Sequence, residues 1–487
     1  MTDQKTSPKE LFESDRYPLE LSPGKMRRML ALATDRIVAH LESLPRQPAA
    51  DVEGGEKLAR ALVEGLPETG ESFEDLIHLL FDRLVPKSFN TAGPGYLAYI
   101  PGGGLFHSAV ADLIADAVNR YVSVWQAAPG LAQLEANVIR WFCGLVDYPP
   151  EARGFLTTGG SLANLSAVIT ARHDRLPDDF LGGTLYASDQ VHHSVVKAAT
   201  LAGFPADSVR LVRADSNYRI RVDLLQQAIE LDRASGRKPF LIVGSAGTTN
   251  TGAVDDLEAL AEVARQAGLW LHIDAAYGGF FLLTERGRQR MRAIERGDSI
   301  TLDPHKGLFL PYGTGCLLVR DGEALKRAHL SGADYMPKLQ EASDLVDFCQ
   351  ISPELSRDFR GLRVWLPLKM HGAGAFRAAL EEKLDLTEWA HRELRKIEAL
   401  EIVAEPQLSI VAFGLACRGR SLEEANRANR ELLQAINARQ RVYLTGTLLG
   451  GRFTLRICVL SFRTHLDRMR AGLEDIRQAV AEVTAGA

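Results

Sequence analysis

The segment "KPFLIVGSAGTTNTGAVDDLEALAEVARQAGLWLHIDAAYGG", residues 238–279, contains two apolar runs on either side of a helical pattern. It begins with an apolar run, passes through a turn rich in glycine and threonine into the helical pattern "DDLEALAEVARQAG", and ends on a second apolar run, "LWLHIDAA". Largely apolar strands that alternate with helices are typical of a parallel sheet covered on both faces. The segment therefore predicts a strand, a helix and a strand within an α/β domain.

The same alternation extends outward from this segment, from about residue 150 to residue 320. The other short apolar runs are "RGFLTT", "GTLYAS", "SVRLVRA", "SITLD" and "GCLLVR". Together they predict one large domain with a mainly parallel central sheet.

The flanking regions have different patterns. At the N-terminus, "SPGKMRRMLALATDRIVAHLESL" predicts an amphipathic helix with Ser22 as its N-cap and Pro23 in its first turn, and "SFEDLIHLLFDRLVP" predicts a second helix. Near the C-terminus, "AFRAALEEKLDLTEWAHRELRKIEAL" predicts a long helix, followed by the strands "LSIVAFGLA" and "RFTLRICVLSF". We expect a helical N-terminal segment over 1–95, a large α/β domain over 96–370 and a small α+β domain over 371–487.

Composition restricts the partners and the compartment. The 57 basic and 62 acidic residues give a net charge of -5, without the strong positive field of a nucleic-acid-binding protein. The five cysteines are scattered without a CxxC pair, which argues against a disulfide framework and a zinc site and favours a reducing cytoplasm. The polar N-terminus and the lack of a long apolar run argue against export and membrane insertion. We expect a soluble cytoplasmic protein that acts on a small molecule.

Polar residues follow several of the predicted strands. Ligands of open α/β sheets bind at the carboxyl ends of the strands, so side chains at these positions are candidates for a site. The candidates are Gly159, Gly160, Ser161 and Asn164, which could face an anion; His192 and His193; Thr248 and Thr249; and Asp274. An ordinary helix cap or a structural histidine explains most of them equally well. Asp274 differs, because a buried carboxylate needs a cation or a hydrogen-bond donor beside it.

Lys306 lies in "SITLDPHKGLFLPYGTG", residues 299–315. In a dry cavity the pKa of a lysine falls, and its amine becomes a nucleophile for an aldehyde. Together with the glycine turn for a phosphate, a carboxylate for a pyridine nitrogen and an imidazole to cover a ring, this lysine meets the requirements of pyridoxal phosphate.

Other ligands fit the sequence less well. A metal site would have to combine His192, His193, His272, Asp274 and His305, none of which stands in an HExxH spacing, and Lys306 would be a poor neighbour for a divalent cation. A P-loop is excluded because no GxxxxGK[ST] occurs.

With these residues in place, the sequence resembles the group II pyridoxal-phosphate decarboxylases, most closely the aromatic-L-amino-acid decarboxylases. The motifs that carry the resemblance run in order from "YLAYIP" and "VSVWQAAPGLAQLE" through "SDQVHHSVVKA", "GTTNTGAVDD", "WLHIDAAYGG" and "DPHKG" to "DFRGLRVW" and "LRICVLSFRT". The resemblance implies the fold-type I, aspartate-aminotransferase-like architecture. It also implies a homodimer whose N-terminal helices wrap over the partner and whose active sites lie at the subunit interface.

The resemblance also implies individual roles. Lys306 matches the Schiff-base lysine, Asp274 the partner of the pyridine nitrogen, His192 the histidine that stacks on the ring and Ala276 the small residue on the other face. Residues implied near the cofactor and its phosphate are Gly160, Ser161, Thr248 and His305. In "LSGADYMPKLQ", Tyr335 matches the tyrosine of the family's mobile loop, the proton donor.

The function implied is decarboxylation of an L-amino acid to the amine and carbon dioxide through a quinonoid intermediate. An aromatic substrate is favoured by the apolar lining that Tyr99, Ile100, Pro101 and Trp125 offer. An aldehyde synthase or another carbon-bond lyase is the alternative. The resemblance disfavours the aldehyde synthase, because such members of the family have phenylalanine where this chain has Tyr335. A non-catalytic binding protein is a further alternative, and the presence of Lys306 and Asp274 speaks against it. For Arg360, Arg363 and Arg456, catalytic and structural roles are both open.

Overall fold

The computed structural model describes residue 17 and residues 19–329, 345–417 and 419–485. Within those residues, none of the helices combines the length and apolar character that crossing a bilayer requires.

The larger of two sheets contains seven strands in the order β1-β7-β6-β5-β4-β2-β3. The strands are β1 Arg153–Thr157, β2 Gly183–Ser188, β3 Val209–Val212, β4 Lys238–Ser245, β5 Trp270–Asp274, β6 Ser299–Leu302 and β7 Gly315–Val319. β3, β2, β4, β5 and β6 run parallel to one another, which confirms the mainly parallel sheet. β7 runs antiparallel to both β6 and β1. The link before it carries only the four-residue helix Pro304–Gly307, and without a crossover helix the chain turns straight back beside β6.

Helices pack against this sheet and against the second, smaller sheet. In chain order they are α1 Pro23–Ser43, α2 Gly55–Ala61, α3 Phe73–His78, α4 Phe106–Val118, α5 Pro129–Leu145, α6 Gly160–Arg175, α7 His193–Leu201, α8 Val222–Ala234, α9 Leu257–Ala267, α10 Glu285–Arg290, α11 Pro304–Gly307, α12 Gly322–His329, α13 Gly361–Leu394, α14 Leu422–Asn437 and α15 Leu466–Ala485. The helix predicted within residues 238–279 is α9, and it packs on β4. A Cβ added to Gly244 would lie 2.8 Å from Leu260, so a larger residue would push the helix from the sheet.

The second sheet is antiparallel throughout, in the order β10-β11-β9-β8. Its strands are β8 Leu400–Ala404, β9 Ile410–Leu415, β10 Thr445–Leu449 and β11 Arg452–Cys458. With α14 and α15 it forms a separate apolar core, as an α+β unit would. The predicted boundaries of the three domains stay predictions, and α13 runs through the second of them, with Gly372 outside helical geometry.

The N-terminal helix α1 begins where the sequence predicts. The Ser22 hydroxyl accepts a hydrogen bond from the Lys25 backbone N–H at 3.3 Å, and Pro23 stands in the first turn. None of its residues is buried within the chain, although Met26, Leu30 and Ile37 are apolar. The second predicted helix is α3, which continues as a π-helical turn over Leu79–Leu84.

Candidate active site

A cavity of about 360 Å³ lies where the parallel strands end at their carboxyl side. It collects residues from the loops after β1, β2, β4, β5 and β6. Among its lining residues are all eight of the predicted cofactor contacts: Gly160, Ser161, His192, Thr248, Asp274, Ala276, His305 and Lys306. The structure thus brings these residues together, while their individual roles stay predictions.

The glycine turn after β1 forms one wall. A Cβ added to Gly160 would lie 3.0 Å from Asp303 Oδ2 and 3.2 Å from Ala276 Cβ, so only glycine fits without displacing its neighbours. Ser161 follows it in the first turn of α6, a helix of 16 residues that starts at the cavity. The free N–H groups and the positive end of the dipole at a helix start favour an anion such as a phosphate.

Asp274 ends β5 and is 8 % exposed. Its Oδ1 accepts the Ala276 backbone N–H at 3.1 Å, and its Oδ2 accepts the Asn164 amide at 3.0 Å. These donors are the partners that a buried carboxylate requires. The sequence suggested that Asn164 could face a ligand anion. Its amide instead donates to Asp274, so that suggestion was wrong.

His192 is the N-cap residue of α7 and is exposed to the cavity. Its Nδ1 lies 2.7 Å from the Ser194 hydroxyl. Burial lowers the pKa of His192, with Lys306 adding to the effect and Asp274 opposing it. The ring is therefore neutral at physiological pH.

Lys306 differs from the expectation of a lowered pKa. Its Nζ lies 2.9 Å from Oδ2 of Asp303, a carboxylate that is only 2 % exposed. Burial alone would lower the pKa of Lys306, but the charge and hydrogen bond of Asp303, together with the charge of Asp274, outweigh it and raise the pKa. The two carboxylates thus reverse the predicted direction, because the pKa of Lys306 is raised and not lowered.

His305 is fixed by its own loop. Its Nδ1 lies 2.6 Å from the Thr314 carbonyl, so the ring donates from Nδ1, and its Nε2 lies 3.7 Å from Asp303. Burial lowers the pKa of His305, which Asp303 only partly opposes. The guanidinium of Arg363 donates to the Gly313 carbonyl at 3.2 Å and pairs with Asp112 at 2.7 Å. Arg363 therefore stabilises the loop that contains Gly313 and Thr314.

The other two arginines are held in structural contacts. Arg360 pairs with Glu354 at 2.6 Å and donates to the Leu156 carbonyl at 3.2 Å. Arg456 is 3 % exposed and donates to the Tyr99 carbonyl at 2.8 Å.

The predicted substrate residues do not line the cavity within one chain. Ile100 and Pro101 are buried, Tyr99 is 53 % exposed, and the Trp125 backbone N–H donates to Asp347 at 2.7 Å. Their loop nevertheless reaches the site, because a Cβ added to Gly102 would lie 2.1 Å from the His305 carbonyl oxygen. The predicted proton donor, Tyr335, lies outside the described residues.

Asp303 and Tyr312 also line the cavity and were not predicted. Asp303 stands three positions before Lys306 at the start of a helix, a spacing that brings two side chains together, so the pair could have been found from the sequence. Its Oδ1 is buried without a hydrogen-bond partner among the described residues.

The metal alternative gains no support from this arrangement. In the described parts of the chain, no group of three or more His, Cys, Asp or Glu side chains could hold a metal ion. His272 is fully buried and uses its nitrogens on Ser299 and Asn164.

Known families, proteins and structures resemble this chain over most of its length. The model of the "Pyridoxal-dependent decarboxylase conserved domain" matches residues 56–416. An aromatic-L-amino-acid decarboxylase of Bacillus atrophaeus is 34% identical over 468 residues, which are 96% of this chain and 98% of that protein. The structure of Oryza sativa TDC with PLP and tryptamine superposes with a TM-score of 0.90 at 26% identity, covering 95% of this chain and 99% of the other. Catharanthus roseus tryptophan decarboxylase in complex with L-tryptophan gives a TM-score of 0.89 at 26% identity, with the same coverage.

Proposed function

Because this chain belongs to the pyridoxal-dependent decarboxylase family, we propose that it converts an aromatic L-amino acid to the corresponding amine and carbon dioxide. It is an amino-acid carboxy-lyase with the fold-type I α/β architecture, and its cofactor is pyridoxal phosphate. The observation that carries the proposal is the convergence of Lys306, Asp274 and His192 with the glycine turn in one cavity.

The chemistry of the cavity fits the cofactor. It offers an amine for the aldehyde, a carboxylate for the pyridine nitrogen and a helix start for the phosphate. Oδ1 of Asp303, which has no hydrogen-bond partner among the described residues, is a further acceptor. Bound there, pyridoxal phosphate supplies an electron-withdrawing ring that accepts the electron pair left behind when carbon dioxide departs.

Each lining residue then has a defined task. Lys306 would supply the amine that reacts with the aldehyde, and Asp303, whose Oδ2 lies 2.9 Å from its Nζ, could accept a proton from it. Asp274 holds a proton on the pyridine nitrogen by its negative charge. His192 would cover one face of the ring, Ala276 would lie at the other, and Gly160 and Ser161 would receive the phosphate.

An aromatic substrate is supported by the 34% identical relative and by the loop "YLAYIP", residues 96–101. The loop is apolar and aromatic and contains no basic side chain that would pair with an acidic substrate. Burying an unpaired carboxylate costs several kcal/mol, so we expect glutamate to be turned over at least about a hundredfold less efficiently than the best aromatic acid.

The test is an assay of the purified protein with tyrosine, tryptophan, phenylalanine, dopa, 5-hydroxytryptophan and glutamate. Carbon dioxide and amine should form in equal amounts from at least one aromatic acid. Aldehyde, ammonia and hydrogen peroxide in stoichiometric amounts would instead identify an aldehyde synthase. Release of carbon dioxide from glutamate alone would contradict the aromatic assignment.

We also propose a homodimer with the active sites at the subunit interface and the N-terminal helices over the partner. The support is that α1 buries none of its residues within one chain, although apolar side chains line it. The predicted substrate loop also supports a dimer, because Tyr99 is exposed and does not line the cavity of its own chain.

Leu30→Lys tests this dimer. Leu30 is 47 % exposed in one chain, and two symmetric copies would each lose about 1.5–3 kcal/mol of apolar burial. We expect the dimer dissociation constant to rise at least about a hundredfold, measured by light scattering over a dilution series. Asp35→Lys, an exposed position elsewhere on α1, is the control. A dimer as tight as the wild type in Leu30→Lys would remove α1 from the interface.

A cytoplasmic location completes the proposal. All five cysteines are free thiols, and four of them are buried. Such cysteines suit a reducing compartment.

A further inference from the structure

Asn164 lies beneath the cavity and joins two of its functional groups. It is carried by α6 and is 1 % exposed. Its Nδ2 donates to Asp274 at 3.0 Å and to the Ser194 hydroxyl at 2.9 Å. Its Oδ1 accepts from the Thr301 hydroxyl at 2.7 Å and lies 3.0 Å from Nε2 of His272. One amide group is thus saturated by four neighbours.

The chemistry of these neighbours fixes the direction of each hydrogen bond. An ionised carboxylate only accepts, so the NH₂ group of Asn164 must face Asp274, and its carbonyl must face Thr301 and His272. His272 therefore carries its proton on Nε2. Its Nδ1, 2.8 Å from the Ser299 hydroxyl, accepts, and the Trp270 N–H in turn donates to that hydroxyl at 2.8 Å. Burial also lowers the pKa of His272, in keeping with a neutral ring.

The direction of the hydrogen bond from Asn164 to Ser194 also determines which atom of His192 carries the proton. Because the Ser194 hydroxyl accepts from Asn164, its hydrogen is free for Nδ1 of His192 at 2.7 Å. The Ser194 backbone N–H points at the same Nδ1 from 3.3 Å. With two donors directed at it, Nδ1 carries a lone pair, and the neutral ring holds its proton on Nε2.

We propose that Asn164 is a positioning residue whose single amide orients the Asp274 carboxylate and, through Ser194, holds His192 in the tautomer protonated on Nε2. An amide serves this task because it does not titrate, so both groups keep their arrangement while the pH changes. His192 then offers an N–H donor from its free ring nitrogen, which suits an anionic or carbonyl oxygen. The part of this inference that concerns Asp274 and the cofactor rests on the proposed function.

The tautomer is read directly by nitrogen NMR. The full-length protein is labelled with ¹⁵N-histidine, with and without pyridoxal phosphate, and the His192 signals are assigned by their loss in His192→Gln. We expect Nδ1 in the pyridine-type range and Nε2 in the pyrrole-type range. Ser194→Ala removes the hydroxyl but leaves the bond from Asn164 to Asp274 and the longer contact from the residue 194 backbone N–H. Since the shorter donor is lost, we expect a measurable fraction of the Nδ1-protonated tautomer. A single Nε2-protonated ring in Ser194→Ala would overturn the relay to His192.

Cofactor affinity tests the branch to Asp274. Asn164→Ala removes a hydrogen bond to a charged group, so we expect the dissociation constant of pyridoxal phosphate to rise about ten- to hundredfold. Thr170→Val is the control, because Thr170 is buried on the same helix and bonds only the Ser166 backbone. The affinity of Thr170→Val for pyridoxal phosphate should match that of the wild type. Wild-type affinity in a folded Asn164→Ala would overturn the proposal.

These measurements separate failure of the inference from failure of the proposed function. If Asn164→Ala does not fold, the spectrum of Ser194→Ala decides alone. If the wild type binds no pyridoxal phosphate, the proposed function is wrong, and the His192 tautomer is still read from the same sample.

Discussion

Lys306→Ala loses decarboxylation, by at least about a thousandfold in kcat, because the variant has no amine with which to hold the cofactor aldehyde in place. Lys306 is the only lysine among the residues that line the described cavity. Borohydride should fix the cofactor of the wild type to the peptide that contains residue 306 and should leave the variant unlabelled. Peptide mapping by mass spectrometry and a carbon dioxide assay measure the two effects.

The control is Lys197→Ala. Lys197 is an exposed lysine on α7, the helix that His192 caps, and it does not line the cavity. Its removal should leave turnover and labelling as in the wild type. Full turnover in Lys306→Ala would contradict the mechanism, and labelling at another lysine would move the attachment point.

Asp274→Asn is expected to lower kcat about a hundredfold or more. The amide keeps the shape of the side chain and its contact with the Ala276 backbone N–H. It loses the hydrogen bond from Asn164, and it has no charge to hold a proton on the pyridine nitrogen. A lost interaction between a carboxylate and a charged partner is worth about 1.5–3 kcal/mol, and a buried site places it at the upper end. Steady-state kinetics should show the loss in kcat.

Asp256→Asn makes the same chemical change outside the cavity. Asp256 caps α9, and asparagine caps a helix equally well, so its kcat should stay within about twofold of the wild type. If Asp274→Asn kept the wild-type kcat, Asp274 would have no part in the electronics of the cofactor.

Much of the site could be predicted from the sequence because its residues lie in short motifs at strand ends. Asp274 ends β5, and Gly160, His192 and Lys306 lie shortly after β1, β2 and β6, which run in the same direction. The carboxyl ends of such strands share one edge, so adjacency along the chain implies adjacency in space. The reversal of β7 was not predicted, because an apolar run does not reveal strand direction.

The protonation of the site could not be predicted in this way. Lys306 was expected to have a lowered pKa on the basis of burial alone, and the contact with Asp303 reversed the direction. The pKa of a buried group depends on the distance and charge of its neighbours, which a motif does not contain.

Hydrophobic periodicity and strand-end motifs are local properties of the chain, so the α/β class, the family resemblance and the eight predicted cofactor contacts followed from the sequence alone. The tertiary structure alone decided how those residues are held: the amide of Asn164 turned toward Asp274, the tautomer of His192 and the pairing of Lys306 with Asp303. Asn164 and Asp274 are separated by 110 positions in the chain, and their hydrogen bond exists only after α6 packs against the sheet. Directional interactions depend on distances of a few ångström, and only the packed fold sets these distances.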